Sequence, residues 1–396
     1  MGRFFAESLD LAKVVERAIN TQLKHLVLGP PGGGQVLVIP SLGGRILDTT
    51  TAGLEGEGVS FVNEDAMHKG TGGYLNPGNF GGLDVLRWGP EALCCFYSGT
   101  PRTVDRYWTP RQWDFSRFFI ASQLKPQSPV SSVKMQSTLP IQWVNYFREK
   151  ISMSVTKRID LCLNPLRDDD RLNSFFNEPG HYVGYRVTVE ATNVGNRPLS
   201  IDGRNAVALL AVAQFDAAPQ SNWIVPITRA RDDPLLWDCS QSIHSRQPQA
   251  QLTDDYLSVP TKSDTRAIWG VPLGRYCQRV AYYDPSRGEL VIFIYNIRDR
   301  QADFLKQAWN CTPTERGTLA ESLLCPHKPV VGLNYGHRSE SGNAAWPCGI
   351  SLYGPYMGIP VNGSVVLTYH CLRYKGPEET LRKIAADKAL LGVTIK

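Results

Sequence analysis

The stretch RVAYYDPSRGELVIFIYNI, from Arg279 to Ile297, decides the fold, because two runs of β-branched and aromatic residues flank one turn-forming segment. Asp284, Pro285 and Gly288 are residues that favour tight turns, whereas the flanking runs favour extended backbone. The stretch therefore predicts a β-hairpin whose turn spans Asp284 to Gly288.

Similar runs bounded by Gly, Pro, Asn or Asp occur along most of the chain. They are QVLVIPSL (35–42), SVTKRIDLCL (154–163), YVGYRVTVEATNV (182–194), AVALLAVAQF (206–215) and SVVLTYHCLRY (364–374). Helical spacing of apolar residues is confined to the two ends, at about 8–20 and about 377–391. Many strands without alternating helices favour a large antiparallel sandwich over a parallel βαβ sheet, so we predict an all-β fold.

The length and composition allow one large domain. The chain has 396 residues, 42% of them hydrophobic and 20% charged, which is enough apolar surface for a sizeable core. β-Sandwiches of this length exist as one unit, and no repeat of fixed period is visible. The segment of about 229–256 is polar and poorly periodic, which indicates a long surface insertion. We predict a single domain over 1–396.

Charge and cysteine content exclude several classes of protein. The net charge of +5 comes from 42 basic and 37 acidic residues that are interspersed, so the basic stripe of a nucleic-acid-binding protein is missing. The sequence shows neither a secretion signal nor an apolar run long enough to span a membrane. Its nine scattered cysteines favour reduced thiols. We expect a cytoplasmic protein without nucleic-acid or membrane partners, and the oligomeric state stays open.

Motifs for metals and cofactors are missing from the sequence. GPPGGGQ, from Gly29 to Gln35, lacks the Lys-Ser/Thr end of a phosphate loop and precedes a strand, so it predicts a hairpin turn. The cysteines form no CxxC pair, and neither a G-x-S-x-G nor an HExxH pattern occurs. We therefore predict no metal site and no cofactor.

Candidate site residues concentrate in GGYLNPGNFGGLDVLRWGPE, from Gly72 to Glu91. Glycines let backbone approach a ligand closely, and ionisable side chains on such loops often bind or catalyse. The alternative is a connection whose Trp88 fills the core. Arg45, after two glycines, could bind ligand hydroxyls or a carboxylate, or could tie down this loop through Asp48 or Asp84.

Three histidines stand in suggestive positions. His181 follows NEPG at the entrance to a strand, His337 follows the turn-like LNYG, and His370 alternates inside a strand. A strand histidine such as His370 is more often a wall residue than a proton carrier. His337, on a segment flanked by glycine, is the better candidate for proton transfer.

Five segments, in this order, resemble an uncharacterised, mainly bacterial family within the galactose-mutarotase-like superfamily. They are QVLVIPSLGGRILDTTTAGLEGEGVSFVNED, NPGNFGGLDVLRWGPE, YWTPRQWD, VTVEATNVGNRPLS and LTYHCLRYKGPEETLRKIAADKALLGV. The resemblance covers nearly the whole chain. It implies a β-supersandwich of antiparallel sheets, with short terminal helices and one open cleft on a concave face that binds sugars.

The resemblance also implies which residues lie at the cleft. In the family the Gly-Gly loop typically continues Glu-Asp-Arg-Phe-Trp-Leu-Gly-Pro-Glu-Gly-Gly; the matching residues here are Gly81, Gly82, Asp84, Gly89, Pro90 and Glu91. Leu83 replaces the first acid and Val85 the arginine, while Arg87 and Trp88 carry similar chemistry at shifted positions. Mutarotases pair a histidine acid with a glutamate base, but Ser351 and Tyr353 stand where late acids would be expected.

We therefore predict binding of a carbohydrate or another polyhydroxylated small molecule. If the protein is an enzyme, the expected chemistry is proton transfer, as in isomerisation, epimerisation or elimination. The candidate catalytic residues are Glu91 and Asp84 as bases and His337 and His181 as acids. The candidate ligand-binding residues are Arg45, Asn79, Arg87, Trp88, Trp108, Asn334, Tyr353 and His370. The alternatives are a non-catalytic sugar sensor and a biosynthetic isomerase or cyclase acting on a less polar substrate.

Overall fold

Most of the secondary structure in the described residues is strand. The computed structural model describes residues 10–63, 80–95, 97–98, 109–124, 132–176, 178, 180–200, 204–228, 236–238, 250–262, 268–297, 329–334, 337–338, 345–356 and 358–395. Helices in these ranges are α1 Leu11–Asn20, α2 Glu91–Cys94, α3 Arg111–Phe115, α4 Asn173–Phe176 and α5 Glu378–Ala386. The strands are β1 Leu26–Leu28, β2 Gln35–Ile39, β3 Arg45–Thr50, β4 Val85–Gly89, β5 Phe118–Leu124, β6 Ser132–Ser137, β7 Ile141–Val144, β8 Lys150–Leu161, β9 Tyr182–Asn193, β10 Ala208–Phe215, β11 Asn222–Pro226, β12 Trp237–Asp238, β13 Gln251–Leu252, β14 Tyr256–Pro260, β15 Ile268–Pro272, β16 Arg279–Asp284, β17 Glu289–Ile294, β18 Pro329–Asn334, β19 His337–Arg338, β20 Ala345–Trp346, β21 Cys348–Tyr353 and β22 Ser364–Lys375.

The described strands form four antiparallel sheets. The large sheet has eleven strands in the order β13-β14-β11-β16-β17-β22-β9-β8-β6-β5, with β7 paired to β8. A six-stranded sheet runs β12-β15-β18-β21-β10-β4, a three-stranded sheet β1-β2-β3, and β19 pairs with β20. The predicted all-β fold is therefore confirmed.

The large sheet and the six-stranded sheet pack together to form the main core. Val155, Val187 and Leu367 of the large sheet lie in one buried cluster with Leu209 and Ile350 of the six-stranded sheet. Side chains two residues apart on a strand share a face, so alternating apolar residues give each sheet one inner surface. The sequence pattern thus produces a sandwich with an apolar interior.

The hairpin at 279–297 forms with the predicted turn. Strand β16 pairs with β17 from Arg279↔Ile294 to Asp284↔Glu289. The Oδ1 atom of Asp284 accepts hydrogen bonds from the backbone N of Ser286 at 3.1 Å and from its Oγ at 2.6 Å. Gly288 has a φ of 62°, in the left-handed region that glycine tolerates best.

Two helices lie at the two ends of the described chain. Helix α1 follows Asp10, whose Oδ1 accepts from the backbone N of Lys13 at 2.9 Å. Helix α5 packs on the outer face of the large sheet, where its Leu381 joins Leu372 in a second apolar cluster. It ends at Ala386, earlier than expected, because Asp387 is extended and its Oδ1 accepts from the N of Ala389 at 2.8 Å. The predicted insertion at about 229–256 lies partly outside the described residues and otherwise contributes the short strands β12 and β13.

Candidate functional site

Two glycines bring the chain onto strand β3. Gly81 and Gly82 have φ values of 83° and 114°, which other residues rarely adopt. A Cβ atom on Gly82 would lie 2.7 Å from the carbonyl oxygen of Ile46 and 3.1 Å from Cδ of Arg45. The glycines therefore permit close packing of this segment against Arg45.

The segment from Asp84 to Glu91 is not the continuous loop that we predicted from the sequence. Val85–Gly89 is strand β4, which pairs with β10 at the edge of the six-stranded sheet. Glu91 then begins the four-residue helix α2 after Pro90. Val85, Leu86 and Trp88 favour extended backbone and supply buried side chains, which accounts for the strand.

Asp114 on α3 joins two arginines. Its Oδ1 atom accepts from Nη2 of Arg45 and, at 2.7 Å, from Nη1 of Arg87, and its side chain is fully buried. Arg45 also donates from Nη1 to the carbonyl oxygen of Gly81 at 2.9 Å and lies 5.6 Å from the ring centre of Phe80. Burial lowers the pKa of Arg45 to about 10, and the charge of Asp114 opposes this shift. Arg45 is thus a buried cation at neutral pH.

Asp84 forms an ion pair with Lys157, and both side chains are fully buried. Lys157 lies on the inner face of β8, two residues from Val155 and from Ile159. Burial lowers the pKa of Lys157, and the nearby Asp84 carboxylate opposes this effect. Burial raises the pKa of Tyr369, and the Asp84 charge raises it further, so this hydroxyl is also close.

We call these five residues, Arg45, Arg87, Asp114, Asp84 and Lys157, the ionic cluster. Three cations and two carboxylates give it a formal charge of +1. Both carboxylates are held by cations, so Asp84 does not stand as the free general base that we predicted from the sequence. Arg45 does tie down the later segment, which was one of the two expectations, but through Asp114.

Asp48, the other expected partner of Arg45, has a different role. Its Oδ1 atom accepts from the backbone N atoms of Thr49 at 2.7 Å, Val59 at 3.0 Å and Ser60 at 3.1 Å. Burial raises the pKa of Asp48, whereas the charge of Arg373 and these hydrogen bonds lower it. Through these hydrogen bonds Asp48 fixes the backbone at Val59 and Ser60 against strand β3.

An open cleft of about 680 Å³ lies beside the ionic cluster; we call it the α3–β7 cleft. One wall consists of Arg111 and Gln112 on α3 together with Tyr97 and Ser98, which follow α2. Tyr97 is 60% exposed, which leaves much of its side chain open to solvent. Asp114 is on the same helix as Arg111, so the ionic cluster fixes the position of this wall.

The other wall of the cleft is the hairpin of β7 and β8. Gln142 and Val144 from β7 line it, and Lys150 is the direct cross-strand partner of Val144. The side chain of Trp143 lies on the opposite face of β7 and is buried, but it still borders the cleft. The Nε2 atom of Gln142 donates to Oγ of Ser152 at 3.1 Å, which fixes the amide.

The turn between β7 and β8 is held by Asn145. Its Oδ1 atom accepts from the backbone N atoms of Phe147 at 2.9 Å and Glu149 at 3.0 Å, and its Nδ2 donates to the carbonyl oxygen of Arg204 at 2.7 Å. Arg148, which lines the cleft, has a φ of 63° in the left-handed region. The hairpin therefore presents Arg148 on a fixed backbone.

Three tryptophans connect the cleft to the core. The ring of Trp143 lies 5.1 Å from that of Trp88 and 5.5 Å from that of Trp113. Trp88 is completely buried, which corrects the prediction that it binds a ligand and agrees with the alternative that it fills the core. Its large apolar ring is instead part of the main core.

Tyr353 and two of the histidines are not brought to the ionic cluster. Tyr353 is 2% exposed and belongs to the main core, so it does not stand open to a ligand. His370 follows the inward-facing Tyr369 on β22 and therefore faces the opposite side of the large sheet. His181 stacks at 3.9 Å on Phe175, on the side that α5 covers, and its Nδ1 lies 3.0 Å from the carbonyl oxygen of Lys375. His181 is therefore not paired with Asp84 as acid and base.

Four predicted site residues cannot be placed in the site. Asn79 and Trp108 lie outside the described residues. For Asn334 and His337 only the backbone is described: Asn334 pairs with Ile268 and Gly349, and His337 pairs with Trp346. Their roles stay predictions.

Glu91 is half-buried at the start of α2. Burial raises the pKa of Cys94 on the same helix to about 12, and the charge of Glu91 adds to this increase. The carbonyl oxygen of Leu93 accepts from the backbone N of Tyr146 at 2.7 Å, which ties α2 to the β7–β8 turn. Glu91 therefore lies on an element that adjoins the cleft, and its catalytic role stays a prediction.

Several residues of the cluster and cleft were missed in the sequence, namely Asp114, Lys157, Trp143, Arg148 and Lys150. A signal existed for Lys157, since SVTKRIDL places it on the same face as Val155 and Ile159 in a period-two pattern. Arg148 and Lys150 are in no motif. Their position depends on the hairpin that carries them.

Metal-binding clusters and membrane-spanning helices are absent from the described part of the chain. It holds no group of three or more His, Cys, Asp or Glu side chains that could bind a metal ion. None of its helices combines the length and apolar character needed to cross a membrane.

The sandwich of antiparallel sheets is similar in fold to that of several solved structures. The structure is similar to that of the Slr1438 protein from Synechocystis sp. PCC 6803, with 9% identity, a TM-score of 0.50 and coverage of 89% of this chain and 96% of that chain. It is equally similar to a candidate aldose 1-epimerase from Escherichia coli K12, with 9% identity, a TM-score of 0.50 and coverage of 89% and 100%. At this identity the likeness concerns the fold alone.

The sequence comparison is more specific about the family. The profile of a family of unknown function, DUF6786, matches residues 15–318, so the chain belongs to that family. No curated protein matches the sequence significantly. The predicted membership of an uncharacterised family is therefore confirmed, and the fold likeness agrees with the predicted sandwich.

Proposed function

We propose that the protein binds a carbohydrate or another polyhydroxylated small molecule in the α3–β7 cleft. The observation that carries this proposal is the cleft itself, about 680 Å³ in volume and lined by hydrogen-bonding and aromatic side chains. Small-molecule sites typically have volumes of about 300–1,000 Å³ and combine apolar surface with a few fixed polar groups. The cleft has both the size and the composition for a sugar.

The polar groups of the cleft suit hydroxyl recognition. The amides of Gln112 and Gln142 offer both donors and acceptors, and Ser98 adds a hydroxyl. Tyr97 offers an amphipathic ring, the kind of surface on which the apolar face of a sugar packs. The likeness in fold to a protein named as a candidate aldose 1-epimerase supports a hydroxylated ligand.

Binding is better supported than proton transfer. The Asp84 carboxylate is paired with Lys157, while His181 and His370 lie away from the ionic cluster. Glu91 is the remaining described candidate for an acid–base group. A sugar-binding protein without assigned chemistry is therefore the function that this geometry supports best.

The test is binding of neutral sugars measured by saturation-transfer NMR and titration calorimetry. Tyr97→Ala and Gln112→Ala should each weaken binding about fivefold to tenfold, since each loses roughly 1 kcal/mol of ring contact or hydrogen bonding. Val366→Ala is the matched control, because Val366 is 52% exposed on the outer face of the large sheet.

Two outcomes would contradict the proposal. Binding that both cleft variants leave unchanged would place the ligand elsewhere on the protein. The lack of binding to any of a broad panel of sugars and polyols would reject the ligand class.

A further inference from the structure

We infer that the ligand of the α3–β7 cleft carries an oxyanion, a carboxylate or a phosphate, which Arg148 and Lys150 recognise from the β7–β8 hairpin. This inference rests on the proposed function and narrows its ligand class. Arg111 adds a third cation on the opposite wall, and none of the described residues lining the cleft is acidic. A site with this charge favours an anionic ligand over a neutral one.

The charges of Arg148 and Lys150 are not neutralised within the described part of the chain. Neither side chain forms an ion pair with a described acidic residue. Glu149, which separates them in sequence, does not line the cleft, and its Oε2 atom lies 3.6 Å from Nη1 of Arg197. The two cations on the hairpin are therefore available to a ligand.

The backbone at Arg148 does not require an arginine. A side chain at a φ of 63° costs about 1 kcal/mol or more relative to glycine, and asparagine tolerates this region better than arginine. The hydrogen bonds that Asn145 accepts from the backbone of Phe147 and Glu149 hold the turn in its conformation. The guanidinium of Arg148 is therefore not needed to form the turn, and it lies exposed along the cleft.

The chemistry of the two side chains fits an oxyanion on a hydroxylated ligand. A guanidinium can donate two parallel hydrogen bonds to a carboxylate or phosphate, and an ammonium adds a compact charge. The fixed turn reduces the entropy lost when Arg148 binds. The amides of Gln112 and Gln142 would then contact the hydroxyl groups.

The experiment compares D-glucose, D-glucuronate, D-glucose 6-phosphate and inorganic phosphate by titration calorimetry at low and at high salt. We expect at least one of the two anionic sugars to bind about tenfold or more tightly than glucose, and the added salt to weaken it. The two anionic sugars distinguish a carboxylate site from a phosphate site. Arg148→Gly and Lys150→Gln should each remove most of this preference, so that the anionic sugar binds little more tightly than glucose to the same variant.

Arg204→Gly is the matched control for Arg148→Gly. Arg204 is also an exposed arginine in the left-handed region, with a φ of 59°, but it does not line the cleft. Both changes remove one positive charge and relax the backbone, and Arg204→Gly also removes the guanidinium that lies 5.3 Å from the ring centre of Phe147 on the hairpin turn. The unfolding temperature of each variant is measured alongside binding, to show that each variant is folded. Only Arg148→Gly should reduce the binding of the anionic sugar.

The outcomes separate this inference from the proposed function. Equal affinity for glucose and both anionic sugars would overturn the inference and leave the proposed function standing. Anionic binding that Arg148→Gly and Lys150→Gln do not reduce, or that Arg204→Gly reduces as much, would also overturn the inference. Inorganic phosphate binding as tightly as the sugar phosphate would support the anion site but contradict a hydroxylated ligand. No binding of any of the four would overturn the inference, while the proposed function is decided separately by the broad panel of sugars and polyols.

Discussion

Substitutions that break the buried ion pair of Asp84 and Lys157 should strongly lower the free energy of unfolding. Both side chains are fully buried, so a charge left alone cannot recover its hydration. Removing one partner of such a pair typically costs about 3–5 kcal/mol of the free energy of unfolding. We expect costs in this range for Asp84→Asn and Lys157→Met.

The two single changes should not be equal. Asp84 is also attracted by Arg45, so after Lys157→Met the carboxylate still faces a buried cation. Lys157 is repelled by Arg45, so after Asp84→Asn the ammonium faces only a like charge. We therefore expect Asp84→Asn to cost about 4–5 kcal/mol and Lys157→Met about 3 kcal/mol. The double variant should cost less than the sum of the two.

The Asp84→Asn protein should also become more stable as the pH rises. Burial lowers the pKa of Lys157 below its ordinary value of 10.5, and loss of Asp84 removes the charge that opposes this shift. Between the folded-state pKa and 10.5 the unfolded state then binds more protons than the folded state, so the free energy of unfolding increases with pH. The slope can reach about 1.4 kcal/mol per pH unit.

Urea denaturation at pH 7 and pH 9, followed by tryptophan fluorescence and circular dichroism, measures these quantities. Arg158→Met is the control, because Arg158 is next in sequence but half exposed, and its 2.8 Å ion pair with Asp160 lies at the outer face. That change should cost less than about 1 kcal/mol. Asp84→Asn costing no more than this control, or costs of the single changes that simply add in the double variant, would refute the reasoning.

Two further changes test neighbouring charges. Burial raises the pKa of Asp216 to about 6, so its ionised form destabilises the folded state above that pH. Asp216→Asn should increase the free energy of unfolding by up to about 3 kcal/mol at pH 7.5 and by only a few tenths of a kcal/mol near pH 3.5, where the carboxyl is mostly protonated in both states. Equal gains at both pH values in urea melts would contradict this. Asp114→Asn should cost about 3 kcal/mol, because Arg45 loses its buried counter-ion, and should weaken sugar binding because α3 is released; calorimetry showing unchanged binding would mean that α3 stays in place without the ion pair.

The strands could be predicted from the sequence because their pattern is local. The hairpin around Asp284 has turn residues and β-forming runs within 19 residues, and it forms as expected. The order of strands in the large sheet could not be obtained in this way, since β22 at the end of the chain inserts between β17 and β9. That order depends on packing between distant segments, and a single sequence does not display such contacts.

The candidate site was predicted less completely, for a related reason. The sequence identified Arg45 and offered a structural tie as one role, but the partner is Asp114, 69 residues away. The expected partners Asp48 and Asp84 are closer to Arg45 in sequence. However, Asp48 accepts hydrogen bonds from backbone amides, and Asp84 pairs with Lys157. Side-chain pairing over such distances follows from how elements pack.

The residues that carry the family resemblance act mainly as a support for the cleft. Arg45 and Arg87 hold Asp114, and Asp114 lies on the helix whose Arg111 and Gln112 form one wall. The opposite wall is a hairpin turn, and its Arg148 lies outside the five segments that resemble the family. A buried ionic network costs desolvation and so is a weak source of stability, but it fixes geometry well. In this chain the ionic cluster thus positions α3, while the hairpin turn supplies the charges of the opposite wall.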